Sequence, residues 1–124
     1  KDRGFKRVLP LTVAGAYHSR LMEPARAAFE AYLADIPFRE PEISVYSNVD
    51  AATSDSPDVI KANLVKQVVS SVLWEDCMLN ARSSSGVDSF IECGMGGVLK
   101  GLAKRIDREL VVTSFQDFSD FEQS

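Results

Sequence analysis

Leu9, Leu11 and Val13 alternate with their neighbours along residues 8–14, which predicts a strand with Pro10 at its start or on an edge. The period then lengthens. After a short Gly15-Ala16-Tyr17-His18 connection, Leu21/Met22, Ala25, Phe29, Tyr32/Leu33 and Ile36 recur at helical spacing. This predicts a helix capped by Ser19 and running to about Ala34, with Pro24 in the first turn, where a missing N–H does no harm. Ile43 to Val49 reads as a second strand, and Asp50–Pro57, rich in Ala, Ser, Thr and Asp, as surface.

Asp55 or Ser56 then caps a helix in which Ile60, Leu64 and Val68 share a face. Trp74, Cys77, Met78 and Ala81 mark another helix, closed by a turn at Ser83-Ser84-Ser85-Gly86. Val87 to Cys93 is a third strand and Gly94–Gly97 a tight loop. Val98 to Ile106 is a helix with Val98, Leu99, Leu102 and Ile106 inward, and Leu110 to Ser114 a last short strand. From Gln116 the chain is polar and carries phenylalanines. Strands alternating with helices predict an α/β fold with short, mostly parallel strands.

The 124 residues, 45% of them hydrophobic, suffice for one core. Eighteen acidic residues against fourteen basic ones give no sign of the clustered basic excess that nucleic-acid binders normally carry. Cys77 and Cys93 are too few for a disulfide framework and match no zinc spacing, so they are expected to be buried thiols in a reducing compartment. With a single histidine, no metal site is expected. No apolar run approaches the ~20 residues that span a bilayer, and no signal-peptide pattern opens the chain. The expectation is a soluble cytoplasmic protein without membrane contact. Lys1-Asp2-Arg3-Gly4 reads as a helix end closed by glycine, which suggests a piece of something longer.

Four features could carry chemistry. His18 directly follows a strand end, where open α/β sheets bind ligands, and imidazole titrates near neutrality, so it is a candidate general base. A histidine that merely satisfies a loop is the alternative. Asn48, at the end of the second strand, and Gln67, late in a helix, could reach the same crevice, or be ordinary polar surface groups. Gly94-Met95-Gly96-Gly97 could bring backbone N–H groups to an anion, or simply turn the chain. It lacks the spacing of a dinucleotide fingerprint. No Gly-x-Ser-x-Gly elbow occurs to supply a nucleophile.

These pieces come in a recognisable order. Leu9-Pro10-Leu11-Thr12-Val13-Ala14-Gly15-Ala16-Tyr17-His18-Ser19-Arg20-Leu21-Met22 resembles the segment LPVSGAFHSPLM of the malonyl-CoA:acyl carrier protein transacylases. Val45 to Ala51 resembles that family's "xSNVxA" strand, and Leu64-Val65-Lys66-Gln67 through Trp74 its "LVxQ…PVxW" stretch. Phe90 to Leu102 is similar to "xxEvGPGxVLxGL". Together the four motifs cover nearly the whole chain.

The resemblance implies a Ser–His dyad in ping-pong acyl transfer from malonyl-CoA to the phosphopantetheine thiol of acyl carrier protein, in fatty acid biosynthesis and without a cofactor. His18 matches the family's base. Gln67 matches the residue whose backbone carbonyl holds the histidine's other ring nitrogen, and Asn48 matches a position lining the pocket. The serine elbow, the arginine that pairs with the malonyl carboxylate and a ferredoxin-like small subdomain lie upstream in the family. Residues 1–7 would then end that subdomain or connect to it, residues 8–115 would form the C-terminal part of the large hydrolase-like subdomain, and residues 116–124 a tail. The missing N-terminal part of the same enzyme becomes an implied partner, and this piece alone is expected to be inactive.

Met95 departs from the family's Gly-Pro-Gly, and Ser70-Ser71 stands where a proline precedes valine. Ala16-Tyr17-His18-Ser19 is closer to the malonyl-type "xAFHS" form than to "YASHS". Lys104 and Arg105 are candidates for docking the acidic carrier protein, or solvated helix charges. A stand-alone module holding coenzyme A or phosphate at the Gly94 loop, and an inactive remnant, are the rival readings.

Overall fold

The computed structural model describes Gly4 and residues 14–122. Apart from Gly4 and Ala14, the helix end expected at 1–4 and the strand expected at 8–14 lie outside the described residues. Ser19 is an N-cap as predicted: its Oγ accepts from Leu21 N at 3.3 Å and donates to Ala16 O at 2.7 Å. One 3₁₀ turn, Arg20–Met22, precedes helix α1, Glu23–Ala34, whose Pro24 sits in the first turn.

The next segment differs from expectation. Strand β1 is Val45–Ser47, and Ala52–Ser54 forms a strand β2 where surface loop was expected, pairing antiparallel with β1. The reversal is local chemistry. Ala51 takes a positive φ of 54°, its N–H donates to Ser47 O at 2.8 Å, and the Asp50 carboxylate accepts from Ala52 N at 3.2 Å. Ser56, rather than Asp55, caps helix α2, Pro57–Gln67. Helix α3, Trp74–Ser85, absorbs the three serines read as a turn and stops at Gly86, whose φ of 66° provides the left-handed cap.

Strand β3, Ser89–Cys93, and strand β4, Val111–Phe115, are parallel, joined by helix α4, Val98–Ile106. This is the βαβ unit of an α/β fold. A short helix α5, Phe118–Glu122, follows where a polar tail was expected and packs on β4. The two strand pairs are separate two-stranded sheets among the described residues.

Met78 of α3, Ala103 of α4 and Leu110 form the core, with Trp74, Phe90, Ile106 and Val112 packed around them. Burying a side chain of methionine size contributes roughly 1.5–3 kcal/mol. Ala103 is fully buried, so α4 meets the core at its smallest side chain. That corrects the inward stripe predicted for α4: Ile106 packs against the core, but Val98, Leu99 and Leu102 are exposed. Cys77 is buried as expected, whereas Cys93 is exposed. Among the described residues no helix is long and apolar enough to cross a membrane.

Candidate functional site

Helix α2 ends at Gln67 in a tightened turn. Val68 N donates to Val65 O, Val69 N to Lys66 O and Ser70 N to Gln67 O, each at 3.3 Å. Such a terminus leaves carbonyl oxygens with spare lone pairs at the negative end of the helix. Gln67 O uses its spare capacity on His18: Nδ1 lies 3.0 Å away. A carbonyl can only accept, so Nδ1 carries a proton and donates, and in the neutral ring the free lone pair is then on Nε2. The exposed ring sits at a backbone position of φ 56°, left-handed and uncommon for any residue but glycine. Strain of this kind, on the order of 1–3 kcal/mol, clusters at functional sites.

The Gln67 side chain braces the same turn, with Nε2 donating to Ser70 O at 3.0 Å and to Ser71 O at 3.1 Å. Its Oε1 is buried without a hydrogen-bond partner among the described residues. Gln67 and Asn48 line one cavity of about 130 Å³, floored by Ile60 and Leu64 of α2 and by Tyr46 of β1. The face that Ile60 and Leu64 share therefore opens onto the candidate site, and Leu64 stays 45% exposed. A larger groove, about 450 Å³ between α1 and α2, holds none of the three predicted residues.

Asn48 is fixed at both ends. Its backbone oxygen accepts from Leu73 N at 2.8 Å, and its Oδ1 accepts from the Cys77 thiol, 3.6 Å away. The same thiol reaches Ser47 O at 3.5 Å. Burial, then the charges of Asp50 and Asp76, push the Cys77 pKa up, so the group remains a thiol that can donate. His18 and Gln67 thus meet by a hydrogen bond, and Gln67 and Asn48 across a cavity. The thiol that holds Asn48 was not predicted. In the sequence it looks like one more apolar position of α3.

The glycine loop is as tight as its composition implies, with φ of 127°, 106° and 61° at Gly94, Gly96 and Gly97. Beyond it, however, the N-terminus of α4 is already filled. The buried Glu92 carboxylate accepts from Leu99 N at 2.8 Å, Lys100 N at 3.4 Å and Ser114 Oγ at 2.7 Å. The Ser114 hydroxyl, opposed by desolvation and helped by the two amides, holds the Glu92 pKa below the usual range. Amides that an outside phosphate would need are therefore committed to the chain's own carboxylate. Lys104 and Arg105 are exposed in the last turn of α4.

No protein-family model matches the chain. Individual proteins do. The malonyl CoA-acyl carrier protein transacylase of Staphylococcus aureus (strain COL) is 40% identical over 123 residues, 97% of this chain and 39% of that protein. The chain is homologous to a part of the malonyl CoA-acyl carrier protein transacylases. Its fold matches the crystal structure of an acyl-carrier-protein S-malonyltransferase from Burkholderia pseudomallei 1710b with a TM-score of 0.87 and 41% identity, covering 98% of this chain and 39% of that one. A malonyl-transacylase in complex with its type II PKS acyl-carrier protein matches with a TM-score of 0.87 and 34% identity, over 98% of this chain and 39% of that one. The chain therefore spans about 39% of the length of these curated relatives.

Proposed function

We propose that this chain is the histidine-bearing portion of an enzyme that moves malonyl from coenzyme A to acyl carrier protein. The observation that carries the reading is the His18–Gln67 hydrogen bond, which prepares Nε2 as a base. His18 Nε2 takes the proton of a serine hydroxyl supplied from outside these 124 residues. The serine oxygen attacks the malonyl thioester carbonyl, the C–S bond breaks, and the departing thiolate takes the proton from His18. The malonyl-serine ester is then attacked by the carrier's phosphopantetheine thiol, whose proton passes through His18 back to the serine oxygen.

The Gln67 carbonyl does the work of a triad carboxylate: it holds the ring in one tautomer and orientation. Asn48 lines the acyl pocket, its amide set by Cys77. Residues 8–115 belong to the C-terminal part of the large acyltransferase subdomain, 1–7 to the end of the small one or a connector, and 116–124 to a tail that carries α5. Malonyl-CoA is the substrate, no cofactor is required, acyl carrier protein is the partner, and the cytoplasm, where fatty acids are built, is the location.

The test joins this chain to the remaining segment of the Staphylococcus aureus transacylase and measures malonyl transfer to acyl carrier protein. His18→Ala should lower the rate by roughly 10²–10⁴. Wild-type rates in that variant would contradict the assignment.

A further inference from the structure

Leu73, the N-cap of α3, Cys77 and Asn80 stand at the spacing that shares one helix face. That face is tied to the β1–β2 hairpin at all three positions. Leu73 N donates to Asn48 O at 2.8 Å, and Asn80 Nδ2 donates to Ala51 O at 2.9 Å. Between them stands the Cys77 thiol, 3.5 Å from Ser47 O and 3.6 Å from Asn48 Oδ1. The two outer ties hold backbone, and only the middle one reaches a side chain. Removing the thiol would therefore leave the hairpin hung on Leu73 and Asn80 and release one thing, the Asn48 amide. The thiol is buried and stays protonated, so its donor is present throughout the neutral range.

An asparagine amide has two opposite ends, an oxygen that only accepts and an NH₂ that only donates. With Oδ1 engaged by Cys77, Nδ2 is the end left without a partner among the described residues, in a half-buried side chain that lines the cavity beside Gln67. A malonyl thioester brings only acceptors to such a cavity, its carbonyl and its carboxylate. A flipped amide would set oxygen against oxygen there and leave both unpaired. We propose that Cys77 is a positioning residue, whose S–H holds Asn48 Oδ1 so that the Nδ2 end is presented to an acceptor oxygen of the acyl group. This rests on the reading of the chain as part of a malonyl-transfer enzyme. It adds what fixes the polarity of the pocket.

The test uses the fusion of this chain with the remaining Staphylococcus aureus segment. Cys77→Val fills the space of the thiol without a donor, Cys77→Ala leaves that space smaller, and Cys77→Ser keeps a donor in a more polar side chain. Transfer should follow the donor rather than the packing or the melting temperature. The kcat/KM for malonyl-CoA should fall by about three- to tenfold in Cys77→Val and Cys77→Ala, and stay within about twofold of the parent in Cys77→Ser. In an Asn48→Ala background the same Cys77→Val should cost nothing further, because Cys77 acts through that amide. Serine no better than valine, or a valine loss of full size without Asn48, would overturn the proposal.

The order of the Asn48 amide is read apart from transfer, by ¹⁵N relaxation of its side-chain NH₂ in the same fusion. The group should be rigid in the parent and in Cys77→Ser, and mobile in Cys77→Val. A mobile amide in Cys77→Val with no malonyl transfer by any of these proteins would refute the activity and keep Cys77 as the group that holds Asn48. Transfer with an amide equally rigid in the parent and in Cys77→Val would do the reverse.

Discussion

His18 Nδ1 and the carbonyl oxygen of Gln67 lie 3.0 Å apart, joined across 49 residues of chain. One partner comes from the strained turn before α1 and the other from the last turn of α2. An acceptor built from backbone cannot be lost by side-chain substitution. It can only be displaced, by loosening the turn that presents it.

Gln67→Ala should do that. The variant keeps the carbonyl but loses the two bonds from Nε2 to Ser70 O and Ser71 O, each worth about 0.5–1.5 kcal/mol. Transfer by the fused enzyme should fall by about tenfold, well short of the loss in His18→Ala. Parallel kcat and KM measurements for the two variants check the order. An equal loss in both would give the Gln67 side chain a direct part in the chemistry.

Glu92 should make stability depend on acid. Its folded pKa lies below its unfolded value, so its contribution is complete above the ordinary glutamate range. That contribution is lost as pH falls through the lower folded pKa. Thermal melts from pH 7 down to pH 3 should show Tm dropping at the acid end, and Glu92→Ala should lower Tm at neutral pH and flatten that drop.

The core should tolerate neither loss nor gain of volume. Met78→Ala removes a side chain packed beside Ala103 and Leu110, and should cost about 2–5 kcal/mol in urea unfolding. Ala103→Leu adds three carbons at a fully buried position, and should cost about 1–3 kcal/mol. A near-neutral Ala103→Leu would mean that α4 is free to shift away from the sheet.

The parts of this fold that depend on local order were legible in the sequence. The Ser19 and Ser56 caps, the glycine loop and the alternation of β3, α4 and β4 follow from neighbours only a few residues apart. The β1–β2 hairpin was not, because its reversal rests on Ala51 in a left-handed conformation that alanine rarely takes. Nor was the exposure of Val98 and Leu99, since a hydrophobic stripe says that a face seeks cover but not whether cover is present. At the site, His18, Asn48 and Gln67 could be named from motif order. The thiol that orients Asn48 and the carboxylate that fills the α4 terminus depend on contacts 29 and 7 residues apart that no local pattern encodes.

The proposed base needs its proton at Nδ1 of His18, and ¹⁵N-resolved NMR of the imidazole reads that proton in the 124-residue chain. The ring should appear at neutral-to-alkaline pH as the single tautomer with Nδ1 protonated and Nε2 bare, held by the Gln67 carbonyl. A ring protonated at Nε2, or one averaging between both tautomers, would contradict the claim that this turn prepares His18 as a base.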